Sequence, residues 1–413
     1  MFKDLFRNFD GWAWYAFAFG LALTTSTALT SIMASISLIW FATHFREWRG
    51  AVSERRQDPV FKAMLAFLAI LMLGVFVSFA HGYSPWEILG KHTKFMVFFI
   101  LIGLLQKTER RQAAFLGFAF GMLLSMFLSV LSQVIGIQIF HAVPGTGELA
   151  PFLNHTEHNV FLSLVTLGLV TLLAAQRPRG ILAWLGWLTV ALAFVDIIFL
   201  IRGRTGQIVL VILAMLLFAT LLRSKLLKVA ATLGFLAAVG LAALYGHSAL
   251  NQGLKLATHD VSEYKEGQTD TSVGFRMNAL KSTLALIRDT HPIIGNGTGA
   301  FRESYENYYK THPTIEPPFA NPHDDYIFYW AENGIFGLLA LIGIYLSMFY
   351  SAIKERGLHG IWLAGLALAW CVPSTANSVM LDHVSGYTFV VLLAALVAGP
   401  LPFNSQRAAP SAS

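Results

Sequence analysis

Residues 181–222, ILAWLGWLTVALAFVDIIFLIRGRTGQIVLVILAMLLFATLL, decide the fold class. Two apolar runs, 181–201 and 207–222, flank the short polar segment Arg202-Gly203-Arg204-Thr205-Gly206. A bilayer core of about 30 Å takes roughly 20 apolar residues per helix. The runs are continuous rather than alternating, so the spanning element is a helix and not a barrel strand. A guanidinium costs several kcal/mol near hydrocarbon, and a charge kept there usually serves a ligand or a partner. For Arg202 and Arg204 the competing reading is snorkelling of long side chains at a helix end. Gly203 and Gly206 suit either a close backbone approach by a ligand or a tight turn.

Similar runs recur along nearly the whole chain, which has 413 residues and is 55% hydrophobic and 13% charged. That balance excludes a water-soluble domain and specifies an integral membrane protein. Length and flanking charge predict twelve spans: 12–23, 27–43, 61–80, 95–105, 113–135, 160–175, 181–201, 207–222, 229–245, 326–350, 360–374 and 385–401. The first two share one stretch with polar Thr24 to Ser31 as the hairpin, so eleven is the alternative. With both termini in the cytoplasm, Arg46/Arg49/Arg55/Arg56, Lys107/Arg110/Arg111, Arg177/Arg179, Arg223/Lys225/Lys228 and Lys354/Arg356 all fall in inner loops. Every even-numbered span then ends in a basic loop. The outer exceptions are Lys91 and Lys94, Arg202 and Arg204, and residues of one large loop. The net charge of +6 therefore sets topology and disfavours nucleic acid as a partner. Lys3 and Arg7 precede the first apolar stretch, which lacks a small-residue cleavage site, and this argues against a removed signal peptide. The lone Cys371 lies in an apolar run and excludes a disulfide framework.

The chain reads as a single membrane domain, 1–413, with a periplasmic loop at 246–322 inserted between spans nine and ten. Within the loop, Ser272 to Thr290 predicts a helix with Met277, Leu280, Leu284 and Ile287 near one stripe. His291-Pro292 and Gly295, Gly297 and Gly299 end it and begin a turn-rich stretch. An aromatic segment with Phe301, Tyr305, Tyr308 and Tyr309 follows, with no role assigned to its tyrosines. The tail from Pro402 to Ser413 reads as loose.

Three basic elements converge on the outer face: Arg202/Arg204, Arg276 in the loop helix, and His323 before span ten. Arginine keeps its charge at any accessible pH, and its planar fork of donors matches phosphate oxygens. Arg276 also reads as a solvated residue or an ion-pair partner of Asp270 or Asp289. His323 opens His323-Asp324-Asp325, and three readings stand. The imidazole is a general base assisted by the carboxylates, or the acids start a helix beside a bystander histidine, or the triplet holds a divalent metal. Lys91, His92 and Lys94, and likewise His155, His158 and Asn159, lie in two further outer loops, either as phosphate and sugar contacts or as interfacial anchors.

Taken together these residues resemble the O-antigen ligase family of membrane enzymes. His323-Asp324, nine residues and then Gly334-Ile-Phe-Gly337 resemble its histidine motif, with Asp324 where an amide or serine is usual. Arg204-Thr205-Gly206, and Arg276 followed by Pro292-Ile-Ile-Gly295-Asn-Gly297, are similar to its arginine and Pro-x-x-Gly-x-Gly elements. The resemblance implies an all-α, GT-C-like membrane glycosyltransferase of the inner membrane, working at the periplasmic face. It implies inverting, metal-independent transfer of a polysaccharide from polyprenyl (undecaprenyl) pyrophosphate to a sugar hydroxyl of lipid A core, without a cofactor. His323 then serves as general base, Arg204 and Arg276 stabilise the pyrophosphate, and Arg202, Lys91, Lys94 and His158 bind substrate. The rivals are an O-antigen polymerase, a protein O-oligosaccharyltransferase and, from another class, an anionic-lipid flippase or transporter. Transporters carry internal repeats and broken helices at the midplane, which are not evident here.

Overall fold

The computed structural model describes residues 8–144, 148–245, 247–267, 271–313 and 316–400, except for the side chains of Glu87 and Ile88. Lys3, Arg7, Asp270 and the tail from Pro402 to Ser413 lie outside these residues. The described chain is helical, and its only β pairings are the isolated bridges Ile139–Ala142 and Val143–Glu148.

The helices before the large loop are α1 (Gly11–Thr25), α2 (Thr27–Thr43), α3 (Phe45–Arg55), α4 (Pro59–Ala80), α5 (Trp86–Leu104), α6 (Thr108–Ile135), α7 (His155–Gln176), α8 (Ile181–Val195), α9 (Arg204–Leu221) and α10 (Lys225–Leu244). A π turn, Asp196–Leu200, continues α8. The loop carries α11 (Ala249–Lys265), α12 (Ser272–Asp289) and α13 (Phe301–Thr311), and the chain returns through α14 (Asp325–Glu355), α15 (Gly357–Cys371) and α16 (His383–Ala398).

Among the described residues eight helices are by themselves long and apolar enough to cross a membrane: α4, α6, α7, α8 with its π turn, α9, α10, α14 and α15 with the turn after it. A ninth follows if α2 and α3, bent by 97°, are one span. The other expected segments are helical too, but α1, α2 and α16 have only 15, 17 and 16 residues, and α5 carries Lys91 and Lys94 in its first half. Ser26 alone separates α1 from α2, in extended conformation, and its hydroxyl caps α2 by accepting from the Leu29 amide. The first apolar stretch is therefore two helices.

Apolar character on all sides has opposite outcomes at two places. Helix α16 is buried along essentially its whole length from Val384 to Ala398, as an all-apolar helix inside a bundle should be. Helix α10 buries only Ala242, which leaves its leucines to the lipid.

In the loop, α12 forms over the predicted range, but the buried stripe is Ala279, Ser282, Thr283, Leu286 and Ile287. Met277 and Leu284 are exposed, because the face turned to the neighbouring elements combines the small residues Ala279, Ser282 and Thr283 with Leu286 and Ile287. Helix α11 goes beyond the segments expected from the sequence, although Leu250, Leu254, Ala257, Val261 and Tyr264 recur along it at helical spacing. Tyr305 and Tyr308 are buried anchors, donating to the Glu316 carbonyl at 2.8 Å and to Asp289 at 2.7 Å.

The glycine stretch after α12 fills a break in α14. At Asn333 and Gly334 the helix leaves helical geometry, with Gly334 at φ 62°. The freed carbonyls of Ala331 and Glu332 accept from the backbone amides of Asn296 and Gly297, at 3.0 and 2.7 Å, and Ile335 N–H donates to Pro292. Thr298 then ties the joint to α4 through the Gly74 and Leu71 carbonyls. A Cβ on Gly334 would stand 2.0 Å from the Ile293 carbonyl oxygen, so only glycine fits there.

The two ends of the bundle differ in chemistry. At one end Arg110 is buried between Asp10 at 3.0 Å and Glu47 at 3.4 Å, while Arg111 donates to the Leu105 and Gln106 carbonyls. The other end, where α5, α7, α14 and α16 begin, holds a cavity.

Candidate functional site

The arginine segment is built around a second break. The π turn closes with Ile201 N–H donating to the Asp196 carbonyl, and α9 starts at Arg204. Carbonyls of the turn and of the gap after it are taken by side chains: Asn159 donates to Ile201 at 3.2 Å and Gln207 to Ile197 at 3.0 Å. A Cβ on Gly206 would meet Asn159 Cβ at 2.2 Å, and one on Gly203 would meet the Asn159 amide at 2.6 Å. These glycines therefore admit α7, not a ligand, which corrects one of the two expectations for them. Arg204 lies along α11, where a Cβ on Gly253 would come within 3.3 Å of its side chain. Arg202 is half-buried beside it in sequence.

His323 is held by the turn before α14. Its amide donates to Asn321 Oδ1 at 3.0 Å, and its φ of 54° places a non-glycine residue in the left-handed region. Such strain costs of order 1–3 kcal/mol and clusters at functional positions. Asn321 also accepts from Ser378, and the Phe275 ring packs edge-on to the imidazole at 5.7 Å. The two acids beside it do other work. Asp324 caps α14, accepting from Ile327 N–H at 2.9 Å. Asp325 is fully buried and accepts from Ser374 at 2.8 Å and the Met380 amide at 3.0 Å. The three side chains diverge, and among the described residues no three His, Cys, Asp or Glu are grouped to hold a metal ion.

Arg276 reaches the same place from α12. Burial lowers its pKa, the neighbouring Arg204 charge lowers it further, and Asp260 opposes both. Its partner is thus not Asp289, which Arg288 and Tyr308 occupy and hold down at about 2. The His323 imidazole is also depressed, first by burial and then by the Arg276 charge. A histidine so placed is neutral at neutral pH and able to accept a proton.

His323 and Arg276 line a cavity of about 650 Å³, and Lys91 and Lys94 of α5 line it with them. Lys91 is exposed, whereas Lys94 is buried and donates to the Leu381 carbonyl at 2.9 Å and to that of Asp382. Arg202 and Arg204 do not line the cavity, but Arg204 interacts with Arg276, and Thr205 accepts from the cavity residue Asn377 at 3.3 Å. His158 is not on the wall. It is fully buried, with Nε2 2.8 Å from Asp196 and Nδ1 3.1 Å from Ser125, so a substrate could not reach it without opening the bundle.

The cavity also presents residues that were not singled out: Glu157, Asn321, Trp370, Asn377 and Asp382. Glu157 is the acid of the first turn of α7 and accepts from Ser385 at 3.1 Å, and Asp382 caps α16. Single acids at helix starts are ordinary capping residues in a sequence, and only the convergence of α7 and α16 makes them a wall.

A sequence model of the family described as O-Antigen ligase matches residues 188–342. The match runs from α8 into α14 and contains Arg202, Arg204, Arg276 and His323. An uncharacterized protein of Haemophilus influenzae is 26% identical over 164 residues, which is 38% of this chain and 40% of that relative. The chain thus spans less than half the length of the relative it matches. The stretch of this multi-pass membrane protein that carries both arginines, the loop helices and the histidine is thus similar to the O-antigen ligase family.

Proposed function

We propose that the protein transfers a polysaccharide from a polyprenyl pyrophosphate carrier to a sugar hydroxyl of lipid A core, at the periplasmic face of the inner membrane. One observation carries this reading: a neutral imidazole, His323, and a guanidinium, Arg276, share one cavity, and the charge of Arg204 acts on Arg276. Pyrophosphate is already a good leaving group, so the enzyme must neutralise the charge that grows on it and activate the incoming alcohol. Arg204 and Arg276 supply fixed positive charge, with Lys91 on the same wall and Arg202 in the adjoining turn. His323 takes the hydroxyl proton as the acceptor oxygen bonds to the anomeric carbon. The bond from that carbon to the phosphate oxygen breaks on the opposite face, which inverts the centre. Lys94 orders the backbone at Leu381 and Asp382. Both substrates are lipids, which fits a site at the end of a bundle rather than in a soluble domain. The distribution of basic residues supports a cavity on the outer side with the basic loops inside.

The lipopolysaccharide of a deletion strain tests the reaction. A ligase predicts loss of all capped core while lipid-linked polymer accumulates; single-repeat capping indicates a polymerase, and unchanged lipopolysaccharide with loss of glycan from a protein indicates a protein glycosylating enzyme. With purified protein and both lipids, transfer should persist in chelator and vanish in His323→Ala. Full activity of that variant removes the imidazole from the mechanism.

A further inference from the structure

The pair His158–Asp196 is fully buried in the bundle and takes no part in the chemistry described above. Ionisable groups inside a membrane protein are costly, and they are retained where they serve a function. Asp196 accepts from Ser129 Oγ at 2.7 Å through Oδ1 and faces His158 Nε2 at 2.8 Å through Oδ2. His158 Nδ1 lies 3.1 Å from Ser125 Oγ. One carboxylate thereby joins α6, α7 and the end of α8.

Asp196 is also the first residue of the π turn, and its carbonyl accepts the Ile201 amide that closes it. The residue after His158, Asn159, donates to the Ile201 and Gly203 carbonyls on either side of Arg202. Helix α7 therefore grips the arginine turn at two adjacent positions, one through an imidazole and one through an amide. A π turn forfeits regular helical hydrogen bonding and persists where it is held for a purpose. What lies beyond this one is Arg202 and then Arg204.

We propose that His158 and Asp196 are positioning residues for Arg204: they pin the π turn from which α9 and its first guanidinium start. The proposal rests on the reading of Arg204 as a pyrophosphate ligand, and two measurements separate the two.

The first is hydrogen–deuterium exchange of the full-length protein in lipid nanodiscs, which needs no substrate. Asp196→Asn, isosteric but uncharged, should speed amide exchange across residues 201–207 about tenfold or more, since the turn opens locally. Unchanged exchange there overturns the device whatever the activity shows. The second is donor kinetics with a polyprenyl pyrophosphate-linked glycan. Asp196→Asn and His158→Ala should each lower kcat/KM for the donor about 10- to 100-fold, as a displaced charged contact does. His158→Gln, which keeps a donor toward Asp196, should recover much of the loss. Added to Arg204→Ala, neither change should cost more, because residues acting through one group are non-additive. Losses that multiply with Arg204→Ala overturn the positioning role. If Arg204→Ala itself leaves donor kinetics unchanged while exchange rises in Asp196→Asn, the pyrophosphate reading falls and the pinned turn stands. If neither Asp196→Asn nor His158→Ala folds, the pair is a stability element and the proposal fails.

Discussion

Two joints contain glycines, one inside the span α14 and one between the spans α8 and α9, and they are closed in different ways. In α14 the gap at Asn333–Gly334 is closed by main chain: loop amides of Asn296 and Gly297 reach the carbonyls that the helix gives up. Between α8 and α9 the gap at Ile201–Gly203 is closed by the side chains of Asn159 and Gln207, and two arginines emerge from it. Unpaired backbone groups in a bilayer cost several kcal/mol, so both breaks must be satisfied from within the protein. The first break uses backbone and docks the large loop onto the bundle. The second uses side chains and sets the charge of Arg204 to act on Arg276. A broken helix is thus no mark of a ligand site; the side chains it delivers decide.

The largest effect should come from closing the first break. Gly334→Ala adds a Cβ to a residue at φ 62° with a carbonyl 2.0 Å away. Strain and overpacking together should cost about 2 to 6 kcal/mol. Thermal unfolding in detergent measures it, and a wild-type melting temperature would mean that the joint is not a joint.

His323→Ala comes next and belongs to the other region. Removal of the proposed general base should slow the proposed transfer about 10²- to 10⁴-fold with little change in melting temperature. The pH profile sharpens the point. The base acts when neutral, and its pKa lies below the ordinary imidazole value of 6.5, so activity should hold as pH falls through 6.5 and fail only further down. Arg276→Gln removes one of the two depressing causes and should move that acid limb upward. Folding stability follows the same sign: the unfolded chain binds a proton that the folded site refuses, so stability declines as pH drops below 6.5.

Arg204→Ala and Arg276→Ala should each weaken donor use by about 1.5 to 3 kcal/mol per lost charged contact. Acceptor KM and the fold should hardly move. If stability fell as far as in Gly334→Ala, the contrast between the two breaks would disappear. The smallest effect is predicted for Asp324→Ala, which removes a helix cap worth about 1 kcal/mol. Transfer should survive it, because the Asp324 side chain caps α14 instead of orienting the imidazole; loss of activity without loss of stability would return Asp324 to the site.

From the sequence alone came the membrane class, the helical segments, the large loop with α12, and the residues Arg204, Arg276 and His323. All rest on short-range physics: apolar length against bilayer thickness, charge beside a span, and a fixed cation or an imidazole where hydrocarbon ends. Tertiary structure decided what depends on neighbours distant in the chain. It enclosed His158 with Asp196 and set Lys91 on the cavity wall, though both are basic residues of outer segments and look alike in the sequence. It gave the glycines of 295–299 to the α14 break and those of 203–206 to Asn159. It also brought Glu157 and Asp382, each an ordinary helix-start acid, to one wall. Burial and partnership are properties of packed helices, and a local pattern of residue types does not contain them.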